Sequence, residues 1–145
     1  MVVFKKRAKY FFIVAAMLPL FGSAQQVDLV TYLDDSIKET SGLICLGERL
    51  ITHNDSGGEA ALYEIDTISG TILRKTIVAN ANNIDWEDIC LDSNYIYIGD
   101  FGNNSGSRTN LCIYRLLISD YLTSLNDTVF VDTILFNYIC CTRST

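Results

Sequence analysis

Asn82-Asn83-Ile84-Asp85-Trp86-Glu87-Asp88-Ile89 holds the only tryptophan of the chain and its densest acidic cluster. Its meaning comes from what surrounds it. Ile89-Cys90-Leu91 repeats Ile44-Cys45-Leu46, Tyr95-Ile96 takes the place of Leu50-Ile51, Asp100 that of Asp55, and Gly102 that of Gly57. Each pair is 45 residues apart, so the stretch lies at the seam between two copies of one unit. Six further residues then enter the second copy, which sets Leu62-Tyr63-Glu64 against Ile113-Tyr114-Arg115.

Each copy reads as four short strands. The first offers residues 43–46, 50–54, 61–66 and 71–78, and the second 88–91, 95–99, 111–118 and 128–136. Val, Ile, Tyr and Thr dominate these runs, Gly, Ser and Asn separate them, and none shows a sustained helical period. A unit of ~40–50 residues with four antiparallel strands has the length of a propeller blade. The fold expected is therefore all-β: about two four-stranded antiparallel blades of a β-propeller, over residues 41–78 and 86–138. Residues 27–33 would add one lone outer strand. Two blades cannot close a ring of at least ~4. Two outcomes stay open: a fragment of a larger propeller, or two blades stacked as an open sandwich.

Residues 1–24 have the layout of a secretory leader. Lys5, Lys6, Arg7 and Lys9 precede an apolar run ending near Pro19, and Gly22-Ser23-Ala24 supplies small residues before a cleavage point. The run is short of the ~20 residues that span a bilayer. Export to the envelope or the medium is expected, with residues 25–145 as the mature chain and no stable membrane span. Cleavage removes four of 11 basic and none of 17 acidic residues, leaving 7 against 17 and a formal charge of −10. Such a surface excludes nucleic acid and anionic membranes as partners. The five cysteines show no metal-ligand spacing; Cys45 and Cys90, inside apolar runs, are expected to be small buried hydrophobes. Residues 139–145, with Cys140-Cys141, match nothing in the repeat and read as an anomalous tail.

The antiparallel meander decides which loops share a side. The blade-to-blade connections and the loops after each second strand fall together, which gathers Asp55, Asp85, Glu87, Asp88 and Asp100 on one rim. Carboxylates so placed are hard oxygen ligands suited to Ca²⁺. The same residues also serve turns, because Asp and Asn side chains bond nearby backbone N–H groups. Gly42 takes the place of Glu87 in the first copy. Trp86 is expected to be buried by its bulk, and His53, opposite Ile98 in the repeat, to be a packed core histidine. Without a second histidine no catalytic triad can be assembled. Asp100-Phe101-Gly102 spells a kinase triplet, but the rest of the kinase signature is absent.

Ser41-Gly42-Leu43, Thr52-His53-Asn54-Asp55-Ser56-Gly57-Gly58, Asp85-Trp86-Glu87-Asp88-Ile89, Tyr97-Ile98-Gly99-Asp100-Phe101-Gly102-Asn103-Asn104 and Ile113-Tyr114-Arg115 resemble a family of secreted bacterial β-propeller proteins. These are common in Bacteroidetes and often carry a C-terminal sorting domain for type IX secretion. The resemblance runs over about residues 39–138. It implies further blades in full-length members, hence truncation after about two blades here, and it implies no activity, since the family is largely uncharacterised. The function expected is an exported, non-enzymatic module for binding or scaffolding, with an envelope protein or a glycan as partner. The alternative is a calcium-dependent hydrolase of the phytase or lactonase propeller type, in which rim carboxylates hold the metal.

Overall fold

A computed structural model describes residues 28–138. The expected leader, the cysteine pair and the tail over 139–145 lie outside the described residues. The first copy forms β1 (Leu43–Leu46), β2 (Arg49–His53), β3 (Ala61–Ile65) and β4 (Ile72–Val78). The second forms β5 (Trp86–Leu91), β6 (Tyr95–Asp100) and β7 (Cys112–Leu117), then α1 (Ile118–Thr123), β8 (Thr128–Val129) and β9 (Asp132–Leu135). The described residues are all-β apart from α1, in two sheets ordered β1-β2-β3-β4-β8 and β5-β6-β7-β9. All pairings are antiparallel except the short parallel one of β8 on β4.

The two sheets meet through equivalent faces. Strand alternation puts Ile44, Ile51, His53 and Leu62 on one face of the first sheet, and Ile89, Ile96, Ile98 and Tyr114 on one face of the second. The apolar members of both sets lie in a single buried cluster around Trp86. Ile44 and Ile89, and Ile51 and Ile96, are repeat partners, so the two sheets bury the same face of the repeat in one core. The outer face of the first sheet has its own small cluster, Ala61, Tyr63 and Ile65, covered by Ile37 from the N-terminal segment.

Four expectations change. Pairing of His53 with Leu62 and of Ile98 with Tyr114 makes Leu62 equivalent to Tyr114, so the second copy carries seven extra residues rather than six. A one-residue slip exchanges the faces of a strand, and the shared tyrosine misled the alignment. Residues 28–33 form no strand; they lie beside the β3–β4 turn, where Thr31 Oγ1 donates to Ser69 O (3.0 Å) and Asp34 N to Gly70 O (3.3 Å). The run 128–136 is divided between the sheets. Asn80 ends β8 by donating to Val131 O and accepting from Val131 N, both at 2.9 Å, as a strand partner would. Lastly, Cys45 and Cys90 are exposed. Their strands alternate, and Ile44 and Ile89 take the inward positions.

The segment between β7 and β9 straps the sheets together. Tyr121 of α1 is fully buried and donates to Glu64 Oε1 (2.9 Å). Arg74 of β4 reaches Tyr121 O (3.1 Å), Glu64 (3.4 Å) and Asp127 (2.6 Å). The buried Glu64 is thus matched by Arg74, by Arg49 at 2.6 Å and by a hydroxyl, which offsets its desolvation.

Candidate metal centre

The seam is built by backbone bonds between the copies. Trp86 N donates to Asp55 O (3.0 Å), Ser56 bridges to Asp85, and Asn83 Nδ2 donates to Asn54 O (2.9 Å). These join the β2–β3 loop of the first sheet to the entry of β5. Gly102 N donates to Asp85 O (3.1 Å), which brings in the β6–β7 loop.

Into this junction the sequence places a bulge. Trp86 pairs with Asp100 and Asp88 with Gly99, so Glu87 is an extra residue without a ladder partner. A bulge re-aims a side chain. Here one carboxylate oxygen each from Asp55, Asp85 and Glu87 lies within 4.8 Å of the others. Burial and the neighbouring acids push the Asp55 carboxyl above its ordinary range: Asp85 and Glu39 raise it, and His53 partly offsets them. Burial, then Asp55 and Asp85, does the same to Glu87. Asp55 Oδ1 is buried with no hydrogen-bond partner. A Cβ on Gly102 would collide with the carboxylates of Asp85 and Glu87, so the glycine holds the cradle open.

The five expected ligands therefore divide. Asp55, Asp85 and Glu87 converge. Asp100 is fully buried and is held by Arg108 (2.8 Å) while accepting from Asp85 N (3.1 Å). It braces the junction. Asp88 is exposed, and its Oδ1 accepts from Ile89 N at 2.8 Å. Arg108 was missed by sequence reasoning because it sits in the extra residues, which have no counterpart in the first copy. The bulge left no signal in composition, although Gly57 and Gly102 recurring at the same offset marked the loops.

Comparisons with protein-family models, with curated proteins and with solved structures find no match. The chemistry is therefore judged from the residues. Three carboxylates with one buried orphan oxygen fit a hard cation such as Ca²⁺, and would supply part of the 6–8 oxygens it takes. His53 belongs to the core. It is fully buried, Nδ1 lies 3.0 Å from Asn54 O, and the ring stands edge-on to Trp86 at 5.7 Å. Burial lowers its basicity. Trp86 is also fully buried, with Nε1 donating to Asn82 O at 2.9 Å. Among the described residues no helix is long and apolar enough to cross a membrane.

Proposed function

We propose that this chain is an exported, non-enzymatic module for binding or scaffolding, made of two propeller-type blades. In it, Asp55, Asp85 and Glu87 take a divalent cation, Ca²⁺ first, that ties one sheet to the other. One observation carries the reading: carboxylates from two repeat copies converge at a junction where both copies and the β6–β7 loop are bonded together. A cation there would bind the packed sheets and not the separated ones, and so would stabilise the fold. The blade reading is supported by the 45-residue repeat and by two four-stranded antiparallel meanders. The two sheets share one buried core. Membership of the secreted bacterial propeller family rests on the motifs alone.

The test is thermal unfolding with and without Ca²⁺. A rise in Tm in the parent, lost in Asp55→Asn and Glu87→Gln, supports the reading. No rise in the parent sinks it. The same three carboxylates would also serve one other reading, a calcium-dependent hydrolase in which rim carboxylates hold the metal and the metal activates water. Calcium-dependent turnover of phosphomonoesters or lactones, lost in Glu87→Gln, would put that reading in first place.

A further inference from the structure

An open cleft of about 400 Å³ lies beside the carboxylate junction, on the β6–β7 loop. Its walls are the rings of Phe101 and Tyr138, and its polar groups come from Glu87, Asn103 and Asn104. Tyr138 is 69% exposed. The rings are fixed by their neighbours. Phe101 lies flat against Gly99 of β6, where a Cβ would strike the ring. Phe136 stands edge-on between them, 6.4 Å from Phe101 and 5.9 Å from Tyr138.

We propose that this cleft binds a neutral glycan. The inference rests on the module reading above and names a ligand class for it. A pyranose offers a face of C–H groups that stacks on the electron-rich face of an aromatic ring. Around its edge are hydroxyls that both donate and accept. Asn104 can do both, Asn103 Nδ2 donates while its Oδ1 is taken by Arg108 N (2.9 Å), and Glu87 accepts. A peptide anchor would call for a deep apolar pocket, whereas only two rings here are apolar and the floor is glycine and asparagine. Without a bound cation, the nearby Asp55 and Asp85 disfavour an acidic sugar. The Phe101 ring, packed against Gly99, lowers the ordering cost of binding.

Titration of the full chain with cellotetraose, mannotetraose and chitotetraose, followed by NMR shifts and calorimetry, tests this. Saturable binding of at least one is expected, with sialyllactose inert in calcium-free buffer. Tyr138→Ala should weaken binding about tenfold by losing one stacking face, and Asn104→Ala about threefold by losing a hydrogen bond. Both positions are at the surface, so an unchanged Tm shows that the fold is kept. No saturable binding, or binding indifferent to Tyr138→Ala, overturns the glycan. If the sugars fail while Ca²⁺ still raises Tm, the module reading stands and the glycan falls. If sugar binds without any calcium effect, the cation staple falls and the glycan stands. A peptide selected on the parent and lost in Tyr138→Ala, with the sugars silent, would put a protein partner in the cleft instead.

Discussion

The two sheets are copies of one unit, yet they treat their outer faces in opposite ways. The first sheet packs Ala61, Tyr63 and Ile65 under Ile37 of the N-terminal segment. In the second, the register puts Tyr95, Arg115 and Leu117 where the first has Leu50, Tyr63 and Ile65. Asp120 and Phe130–Asp132 line an open cleft with them. Arg115 lies over the Tyr95 ring at 4.8 Å and pairs with Asp132 at 2.8 Å, while Tyr97 donates to Asp92 at 2.8 Å. The covered face carries Leu50 and Tyr63, and the other carries the amphipathic Tyr95 and Arg115 in their places, while Leu117 stays aliphatic. The innermost strands diverge in the same manner. A Cβ at Gly42 would come within 2.7 Å of Ile89 N and 2.9 Å of His53 Nε2, so the first copy has no room for a side chain there. At the equivalent place in the second copy the bulge turns Glu87 to the rim.

The strongest way to break this comparison is to ask whether the copies fold separately. Trp86 belongs to the shared cluster and Tyr63 to the private one. Trp86→Ala should cost about 3–5 kcal/mol and unfold both sheets in one urea transition. Tyr63→Ala should cost less, because its outer-face cluster is small and lies outside the shared core. Two separate transitions in the parent would show that the sheets are independent units.

Much of the fold was legible because β-pattern and turn chemistry act locally. The first three strands of each copy lie within two residues of where the repeat puts them. What was hidden depends on tertiary contacts. Nothing local distinguishes Cys45 from Ile44 in an apolar run; only the partner sheet decides which one faces inward. The helix α1 has six residues, too few to show a period, and is held by the buried Tyr121. The division of 128–136 follows from the Asn80 amide, some fifty residues earlier in the chain. Of the candidate site, composition and meander gathered five carboxylates on one rim, and the structure brings three of them together. The choice of three carboxylates out of five came from the bulge and from Arg108.

A smaller effect separates the two repeat-equivalent glycines. Gly57 has a φ of +66° and open space around it, so Gly57→Ala should cost about 1–2 kcal/mol through backbone strain alone and leave any calcium response intact. A Cβ at Gly102 would instead displace Asp85 and Glu87. Gly102→Ala should therefore abolish the calcium-induced rise in Tm. If Gly102→Ala keeps the full calcium shift, the cradle is not where the cation binds.

The smallest effect is electrostatic, and its sign is distinctive. Glu87 titrates above its ordinary 4.5 in the folded chain. As pH rises from there, the unfolded chain loses this proton first, so the Glu87 contribution is present at low pH and lost as pH passes the folded value. His53 acts in the opposite sense: its folded value lies below 6.5, so its contribution is lost as pH falls from 6.5. Removing only the first leg isolates it. Without calcium, Glu87→Gln should be more stable than the parent at pH 7, by less than about 1 kcal/mol because the group is partly solvated. The difference should vanish below pH 4.5. Saturating calcium should reverse the order, since the parent alone would then turn the repulsion among Asp55, Asp85 and Glu87 into shared coordination. A variant that stays ahead of the parent in calcium would mark Glu87 as a repulsive rim group, leaving the bulge that carries it as a feature of strand geometry rather than of ligand binding.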